Sequence, residues 1–492
     1  MANGACSALE MRELHILHLH HGFLILIYIN AFARRSGHLT GMEQESQLAR
    51  LGLFDARVPR YTSYPTAPQF GNAVDPALFS SWIEAIPPGA EISLYLHVPF
   101  CRRLCWFCAC RTQGTSSDDP VIAYVETLKA ELALLKRHLA AGVRLSRLHW
   151  GGGTPTLLQP SLIRDLAGAV FDVAPLAPGA EFSVEIDPDE IDAARLDALA
   201  GAGMNRASIG VQDFDPEIQK TIGRIQPYEL TRDVALMIRD RGVNSLNADI
   251  LYGLPFQSPA RIADSVQKLL SLAPDRVALY GYAHVPWMSR RQQLIPSDAI
   301  PTPQERLRLS ETAAQLFEWD GYEAIGIDHF ARPEDSLAIA ARTGRLRRNF
   351  QGYTDDPSEV LVGLGASSIS RFPQGFAQNV SGTSEYTRAV RAGQFTTHRG
   401  HVFSGEDRLR GRIIEALMCD FRVSTTEMIR RFDTSEPQLQ AMFARAKAQF
   451  GTMLRLDADG FSIPPEARPL TRMIARAFDA YDQSKARHSA AI

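Results

Sequence analysis

Charge of one sign is what this chain most plainly lacks: 52 Lys and Arg stand against 55 Asp and Glu in 492 residues, a net charge of -3. That balance removes the bulk electrostatic attraction that drives nucleic-acid binding, so no nucleic-acid partner is expected. Long apolar runs are also missing. The conspicuous one, FLILIYINAFA at 23–33, is too short to cross a bilayer, and no membrane partner is expected. Cysteine is scarce, and its six copies are uneven: Cys101, Cys105, Cys108 and Cys110 crowd together while Cys6 and Cys419 stand alone. A disulfide framework would spread them; crowding in a long chain points to metal or cluster ligation in a reducing, cytoplasmic compartment. A second cysteine pair, usual in structural zinc sites, is absent.

At this length a large catalytic domain with smaller units is expected. Residues 1–41 read as an upstream extension. Ala31 and Ala33 imitate a secretory cleavage site, but export ill suits an oxygen-labile cluster protein. His15, His18, His20 and His21 fall in that extension, outside every periodic segment. From about residue 90 to 330, short apolar or β-branched runs (92–98, 145–150, 182–186, 206–210, 245–251, 277–282, 322–327) alternate with amphipathic stretches such as 123–139 and 305–319. This alternation predicts an α/β fold with parallel strands and crossover helices, a partial or complete (β/α) barrel, and the continuous apolar runs suggest strands covered on both faces. The division expected is an arm over 42–75, a barrel over 76–375 and a mostly helical domain over 376–492. The last, with helices near 408–418 and 436–450 and a hairpin turning at Asp459-Gly460, is winged-helix-like. Its mixed charge favours a lid or docking role over DNA binding.

Barrel chemistry gathers at the C-terminal ends of strands. The cysteines follow the first run, Gly151-Gly152-Gly153-Thr154-Pro155 the second, Glu185 and Asp187 end the third, Gln212 and Asp213 follow the fourth, and Asp249 lies in the fifth. Thiolates spaced as Cys101, Cys105 and Cys108 can hold three corners of one [4Fe–4S] cube and leave one iron open. Such an iron can chelate the methionine moiety of S-adenosylmethionine. Cys110, one residue beyond Cys108, is badly placed to be a fourth ligand. The three glycines allow a close backbone approach to a ligand.

The CxxxCxFCxC run resembles that of the radical S-adenosylmethionine superfamily, and within it the oxygen-independent coproporphyrinogen III oxidases. The likeness extends through RYTSYPTA (60–67), HWGGGTPT (149–156), EIDP (185–188), GVQDF (210–214), LYGLP (251–255), YAHVP (282–286), DHFARP (328–333) and NFQGY (349–353). It covers nearly everything from residue 50 onward. By this resemblance Cys101, Cys105 and Cys108 hold one cluster per chain, and two S-adenosylmethionine molecules are implied. The first is expected near Tyr95, Gly152, Glu185 and Ile369, the second near Phe107, Gly153, Thr154, Gln212, Arg224, Asp249 and Ala283. Arg224 could pair with a methionine carboxylate. Cys110, Phe350 and Gln351 are the implied catalytic residues.

The implied reaction of haem biosynthesis is the conversion of two propionates of coproporphyrinogen III to vinyl groups by hydrogen-atom abstraction, in a monomer fed electrons by a flavodoxin- or ferredoxin-like donor. Arg290, Arg291, Arg332, Arg345, Arg347 and Arg348 are candidates for holding the propionates. The competing reading is a haem carrier of the same superfamily. Such relatives generally lack the extra CxC cysteine and the Tyr-Thr-Ser-Tyr-Pro-Thr arm, both present here as Cys110 and 61–66. One departure from the family pattern is Thr354-Asp355-Asp356 after Tyr353.

Overall fold

The computed structural model describes residues 47–481 and 489–492, so the expected extension at 1–41, with its histidines and Cys6, lies outside the described residues. The chain divides into two units at 54/55, and the second, 55–492, contains every strand of the main sheet.

That sheet has twelve strands, numbered along the chain as β1 (Glu91–Val98), β2 (Arg144–Gly152), β3 (Leu176–Ile186), β4 (Arg206–Gln212), β5 (Ser245–Tyr252), β6 (Arg276–Gly281), β7 (Glu323–Ile325), β8 (His329–Ala331), β9 (Leu361–Leu364), β10 (Ile369–Phe372), β11 (Gly375–Asn379) and β12 (Thr397–Val402). Their spatial order is β12-β11-β10-β9-β1-β2-β3-β4-β5-β6-β8-β7. From β9 through β6 every neighbouring pair is parallel; both flanks are antiparallel. Because β12 and β7 do not pair with each other, the barrel is partial. It is nonetheless strongly curved, since one cavity of about 130 Å³ is lined by side chains from β1 to β6 and from β8 and β9, which a flat sheet could not bring together.

Side chains alternate across each strand. Leu94, Leu96, Leu148, Trp150, Phe182, Val184, Ala207, Ile209, Ala248 and Ile250 are buried in the main apolar core. The helices against that face include Asp119–His138, which ends on Lys136, Arg137 and His138, cations suited to a helix C-terminus, and Pro303–Trp319, which starts with a Thr302–Glu305 capping box. The opposite face carries Ser93, Arg147, His149, Glu181, Glu185, Arg206, Asn247, Asp249 and Arg276 into the cavity. Strands covered on both faces were expected from the sequence; the inner face is enclosed by the barrel, and its side chains are mostly polar. Its lower end is tied by ion pairs, Glu181–Arg206 at 2.8 Å, Arg276–Asp335 at 2.6 Å and Arg147–Asp355 at 2.9 Å. Asp356 accepts from Ser93 and Ser146. The Asp355-Asp356 departure thus closes the base of the barrel.

The sheet runs on to Val402, so the helical part begins at Asp407 rather than at 376. There the helices Asp407–Asp420, Thr425–Arg431 and Glu436–Phe450 accompany a small sheet of Arg422–Ser424, Gly460–Ser462 and Arg455–Asp457, a winged-helix-like order. Asp457 pairs with Gly460, which makes Ala458-Asp459 the two-residue turn instead of Asp459-Gly460. Gly460 is needed elsewhere: a Cβ there would collide with the carbonyl of Val423 on the adjoining strand.

Candidate functional site

The loop carrying the cysteines leaves the end of β1 and is pinned on three sides. Behind it, Thr154 N donates to Phe100 O at 2.8 Å and Gly153 N to Val98 O at 2.8 Å. On the second side Trp106 N donates to Ile222 O at 2.9 Å and Arg103 to Ile225 O at 3.0 Å. On the third, Ser289 Oγ donates to Cys108 O at 3.0 Å, Arg291 to Cys110 O at 3.3 Å, and Gln292 Nε2 to both Phe107 O (2.7 Å) and Ala283 O (3.0 Å). These contacts tie the loop to three separate segments of the chain.

The glycine turn is explained by that packing. A Cβ on Gly153 would lie 2.5 Å from Phe100 O, and one on Gly152, whose φ is +113°, would lie 2.6 Å from the His97 ring. One on Gly151 would lie 2.7 Å from Glu185 Oε1. Close approach is required here, with Phe100, His97 and Glu185 already filling the space a Cβ would take.

Cys105 is buried, Cys101 and Cys108 are half-buried, and Cys110 is exposed. Burial pushes the Cys101 thiol up to about 11. Cys108 is held well below the ordinary thiol range by a hydrogen bond from the Cys110 thiol, aided by the Cys110 amide at 3.4 Å and by Arg291 and Arg224; Cys110 is pushed up correspondingly. Three thiols at this spacing on one loop form a donor set that suits a [4Fe–4S] cluster, whose irons would take them as thiolates, Cys101 giving up its proton on binding. Among the described residues no three Cys, His, Asp or Glu side chains converge on a single metal ion. A cube, which takes each thiolate at a separate iron, asks for no such convergence.

Arg224 is 7 % exposed and ties the site together. Its Nη1 and Nη2 each donate to Asp187 at 3.2 Å, Nη1 reaches Cys105 Sγ at 3.6 Å, Nη2 donates to Gly210 O at 2.9 Å and Nε to Gln226 at 3.0 Å. With its N–H groups so engaged it braces Cys105 and Asp187, within the set expected around the second S-adenosylmethionine. Asp187, noted in the sequence only as a strand-end residue, is the missed partner; its place in EIDP, two residues after Glu185, was the available signal.

Of the first expected set, Tyr95, Gly152 and Glu185 do come together. Gly152 N donates to Glu185 Oε2 at 3.0 Å, His149 Nε2 lies 3.4 Å from Glu185 Oε1, and Tyr95 stacks on His149 at 5.6 Å. Ile369 opens β10, beyond Gly363, which is itself paired with Tyr95. Of the second set, Gln292 links Phe107 to Ala283, and Asp249 pairs in register with Gly210, which accepts from Arg224. Gln212 follows with a φ of +71°, an uncommon backbone for a side chain with a Cβ, at a bulge between β4 and β5. Gly153 and Thr154 sit behind the cysteine loop. The two interior carboxylates differ. Burial would raise Glu185, yet the His149 hydrogen bond and the Gly152 amide hold it below its ordinary range. Asp249, with only Asn247 donating to it, is pushed by burial up to about 7. One is an acceptor at neutral pH; the other can also donate.

Phe350 and Gln351 diverge. Phe350 packs edge-on against Phe376 at 5.6 Å in a cavity of about 370 Å³ that also holds Tyr61–Tyr64 of the arm, while Gln351 faces the barrel interior. Of the candidate arginines, Arg332 caps Pro274 O and covers Tyr322, Arg345 donates to Thr343, and Arg291 supports the cysteine loop. Arg348 pairs with Asp328 at 3.5 Å.

A cysteine loop at the carboxyl end of the first strand of a partial parallel barrel is the architecture of the radical S-adenosylmethionine class, and the Radical SAM superfamily model matches residues 95–269. The chain is 67% identical over 451 residues to the oxygen-independent coproporphyrinogen III oxidase of Paracoccus denitrificans, covering 92% of this chain and 100% of that protein. It is 62% identical over 443 residues to that of Cereibacter sphaeroides, covering 90% and 98%. The solved structure of Escherichia coli coproporphyrinogen III oxidase, a radical SAM enzyme, superposes with a TM-score of 0.82 at 34% identity, covering 87% of this chain and 100% of that one. The chain belongs to the family of oxygen-independent coproporphyrinogen III oxidases.

Proposed function

We propose that this chain oxidatively decarboxylates two propionates of coproporphyrinogen III to vinyl groups, giving protoporphyrinogen IX. The observation that carries this is the cysteine loop, pinned on three sides and backed by the Arg224–Asp187 pair, in a chain that aligns with the oxidases along nearly their whole length. Relatives named as oxidases support an enzyme over the haem-carrier reading.

Cys101, Cys105 and Cys108 would hold the cluster. Bound there, a [4Fe–4S] cluster supplies the electron that cleaves S-adenosylmethionine and yields a 5′-deoxyadenosyl radical. Each propionate then loses one hydrogen atom, one CO2 and one electron to become a vinyl group, and the electron goes to an acceptor. Two propionates ask for two S-adenosylmethionine molecules. Glu185, anionic at neutral pH, suits ribose hydroxyls or an ammonium group beside Tyr95, and Asp249 serves the second position with Phe107 and Ala283. The arm around Tyr61 is anchored by Tyr61 Oη donating to Asp479 at 3.0 Å and by Ala480 N donating to Tyr64 Oη at 2.9 Å, so it can shield the mouth from solvent and stray hydrogen donors. A flavodoxin- or ferredoxin-like protein would deliver the electron. Among the described residues no helix is long and apolar enough to cross a membrane.

The test is an anaerobic assay of reconstituted protein with S-adenosylmethionine, reductant and coproporphyrinogen III. Both 5′-deoxyadenosine and protoporphyrinogen IX are expected, and both vanish in Cys105→Ala. Tight haem binding with neither product would favour the carrier.

A further inference from the structure

The segment 283–292 has two faces. One holds the cysteine loop through Ser289, Arg291 and Gln292; the other, at Ala283, His284 and Trp287, walls a cavity of about 410 Å³, within the usual size of small-molecule sites. Tyr280 and His329 line both this cavity and the barrel interior where Glu185 and Asp249 lie, so the two spaces adjoin.

The cavity is cationic in an unusual way. Arg306, 8 % exposed, donates to the main-chain oxygens of Tyr282 (2.8 Å), Ile492 (3.2 Å) and Gly253 (3.4 Å). Arg472 donates to those of Val58 (2.5 Å), Pro59, Ala490 and Ala491 (each 3.1 Å), and Arg60 to Gly281 O at 2.9 Å. Among the described residues none of these three guanidinium groups forms an ion pair with an Asp or Glu side chain; their partners are main-chain oxygens. Asp328 on the same wall is engaged by His329 and Arg348, and Glu311 and Glu318 also line the cavity. Burial and the neighbouring Arg60 hold Arg472 down to about 10, and burial chiefly lowers Arg306. Carbonyls orient a guanidinium without neutralising it, so the buried Arg306 and the half-buried Arg472 gain when a ligand brings negative charge, while Arg60 stands exposed at the cavity. Tyr252, Tyr282 and Trp287 add flat apolar walls.

We propose that Arg60, Arg306 and Arg472 anchor the propionates that are not reacting, holding the tetrapyrrole with the reacting propionate turned toward the cysteine loop. This rests on the reading of the chain as a tetrapyrrole enzyme and selects a set of arginines different from those singled out in the sequence. Fork-shaped guanidinium groups suit carboxylates, and the main-chain oxygens of 490–492 stand where carboxylate oxygens would meet Arg306 and Arg472, so that short tail must shift as the ligand enters.

The probe is coproporphyrin III, the aromatic and unreactive form, titrated by fluorescence into the full reconstituted protein without reductant. Arg60→Gln, at an exposed site where folding is not at stake, and Arg306→Gln are expected to weaken binding on the order of tenfold each, about 1.4 kcal/mol. In turnover Arg60→Gln raises KM with little change in kcat. The tetramethyl ester of the probe binds poorly, and salt weakens the acid form. Wild-type affinity in both variants, or equal binding of acid and ester, in a protein that turns over coproporphyrinogen III overturns the anchoring role alone. If the wild type cleaves S-adenosylmethionine yet neither binds the porphyrin nor converts coproporphyrinogen III, the functional reading falls and this proposal with it.

Discussion

Around the cysteine loop Arg102 pairs with Asp118, Arg103 with Asp189 at 2.5 Å, and Arg224 with Asp187 at 3.2 Å. On the far side of 283–292, Arg60, Arg306 and Arg472 rest on main-chain oxygens. The same residue type does two jobs. A guanidinium with its own carboxylate is a strut that fixes a loop, whereas one oriented by carbonyls keeps its charge for something arriving from outside.

That contrast can be broken from either side. The largest effect is expected at Arg224. Arg224→Met leaves Asp187 with only the longer Arg103 contact at 3.8 Å, and since Asp187 is partly exposed the cost is expected at or below the low end of the about 3–5 kcal/mol for breaking a buried pair. Chemical unfolding should show the loss, and 5′-deoxyadenosine formation should fall while coproporphyrin III binding is retained. An Arg224→Met protein as stable as wild type would mean the pair is no strut. Next is Gly153→Ala, whose Cβ would press on Phe100 O; overpacking of this kind costs about 1–3 kcal/mol, read as a lowered Tm. An unchanged Tm would show that the cysteine loop yields more readily than its contacts imply.

The carboxylates repeat the contrast, and pH sharpens it at smaller magnitude. Asp249 is pushed up to about 7 from an ordinary value of 3.8, so the folded chain holds a proton there that the unfolded chain has released. Stability due to this group is full below about pH 4 and is lost as pH rises toward 7, with a slope of at most about 1.4 kcal/mol per pH unit. Asp249→Asn should remove that slope from denaturant unfolding measured between pH 5 and 8. Parallel curves for the two proteins would contradict the raised value.

Much of this was legible in the sequence, because parallel strands and their helices announce themselves locally. The run at 245–251 became Ser245–Tyr252, and 305–319 became Pro303–Trp319. The seventh run, 322–327, is instead a short antiparallel edge strand, Glu323–Ile325; the seventh parallel strand is Leu361–Leu364, too short and too far from any alternating helix to stand out. Side-chain direction was the larger miss. Ser93, Arg147, Glu181 and Arg206 are polar, yet flanking apolar residues masked an alternation that places them all inside. The cysteine loop was readable because its spacing is contained in ten residues. The arginine cavity was not, since Arg60, Arg306 and Arg472 meet only through tertiary structure, and its carbonyl partners carry no sequence signal.

The most direct measurement of the central claim is the ratio of 5′-deoxyadenosine formed to CO2 released in one anaerobic reaction with carboxyl-labelled coproporphyrinogen III. One 5′-deoxyadenosine per CO2, with two CO2 per protoporphyrinogen IX, is the expected result. Sustained 5′-deoxyadenosine formation without CO2 would contradict the account, leaving a radical centre that acts on a different substrate.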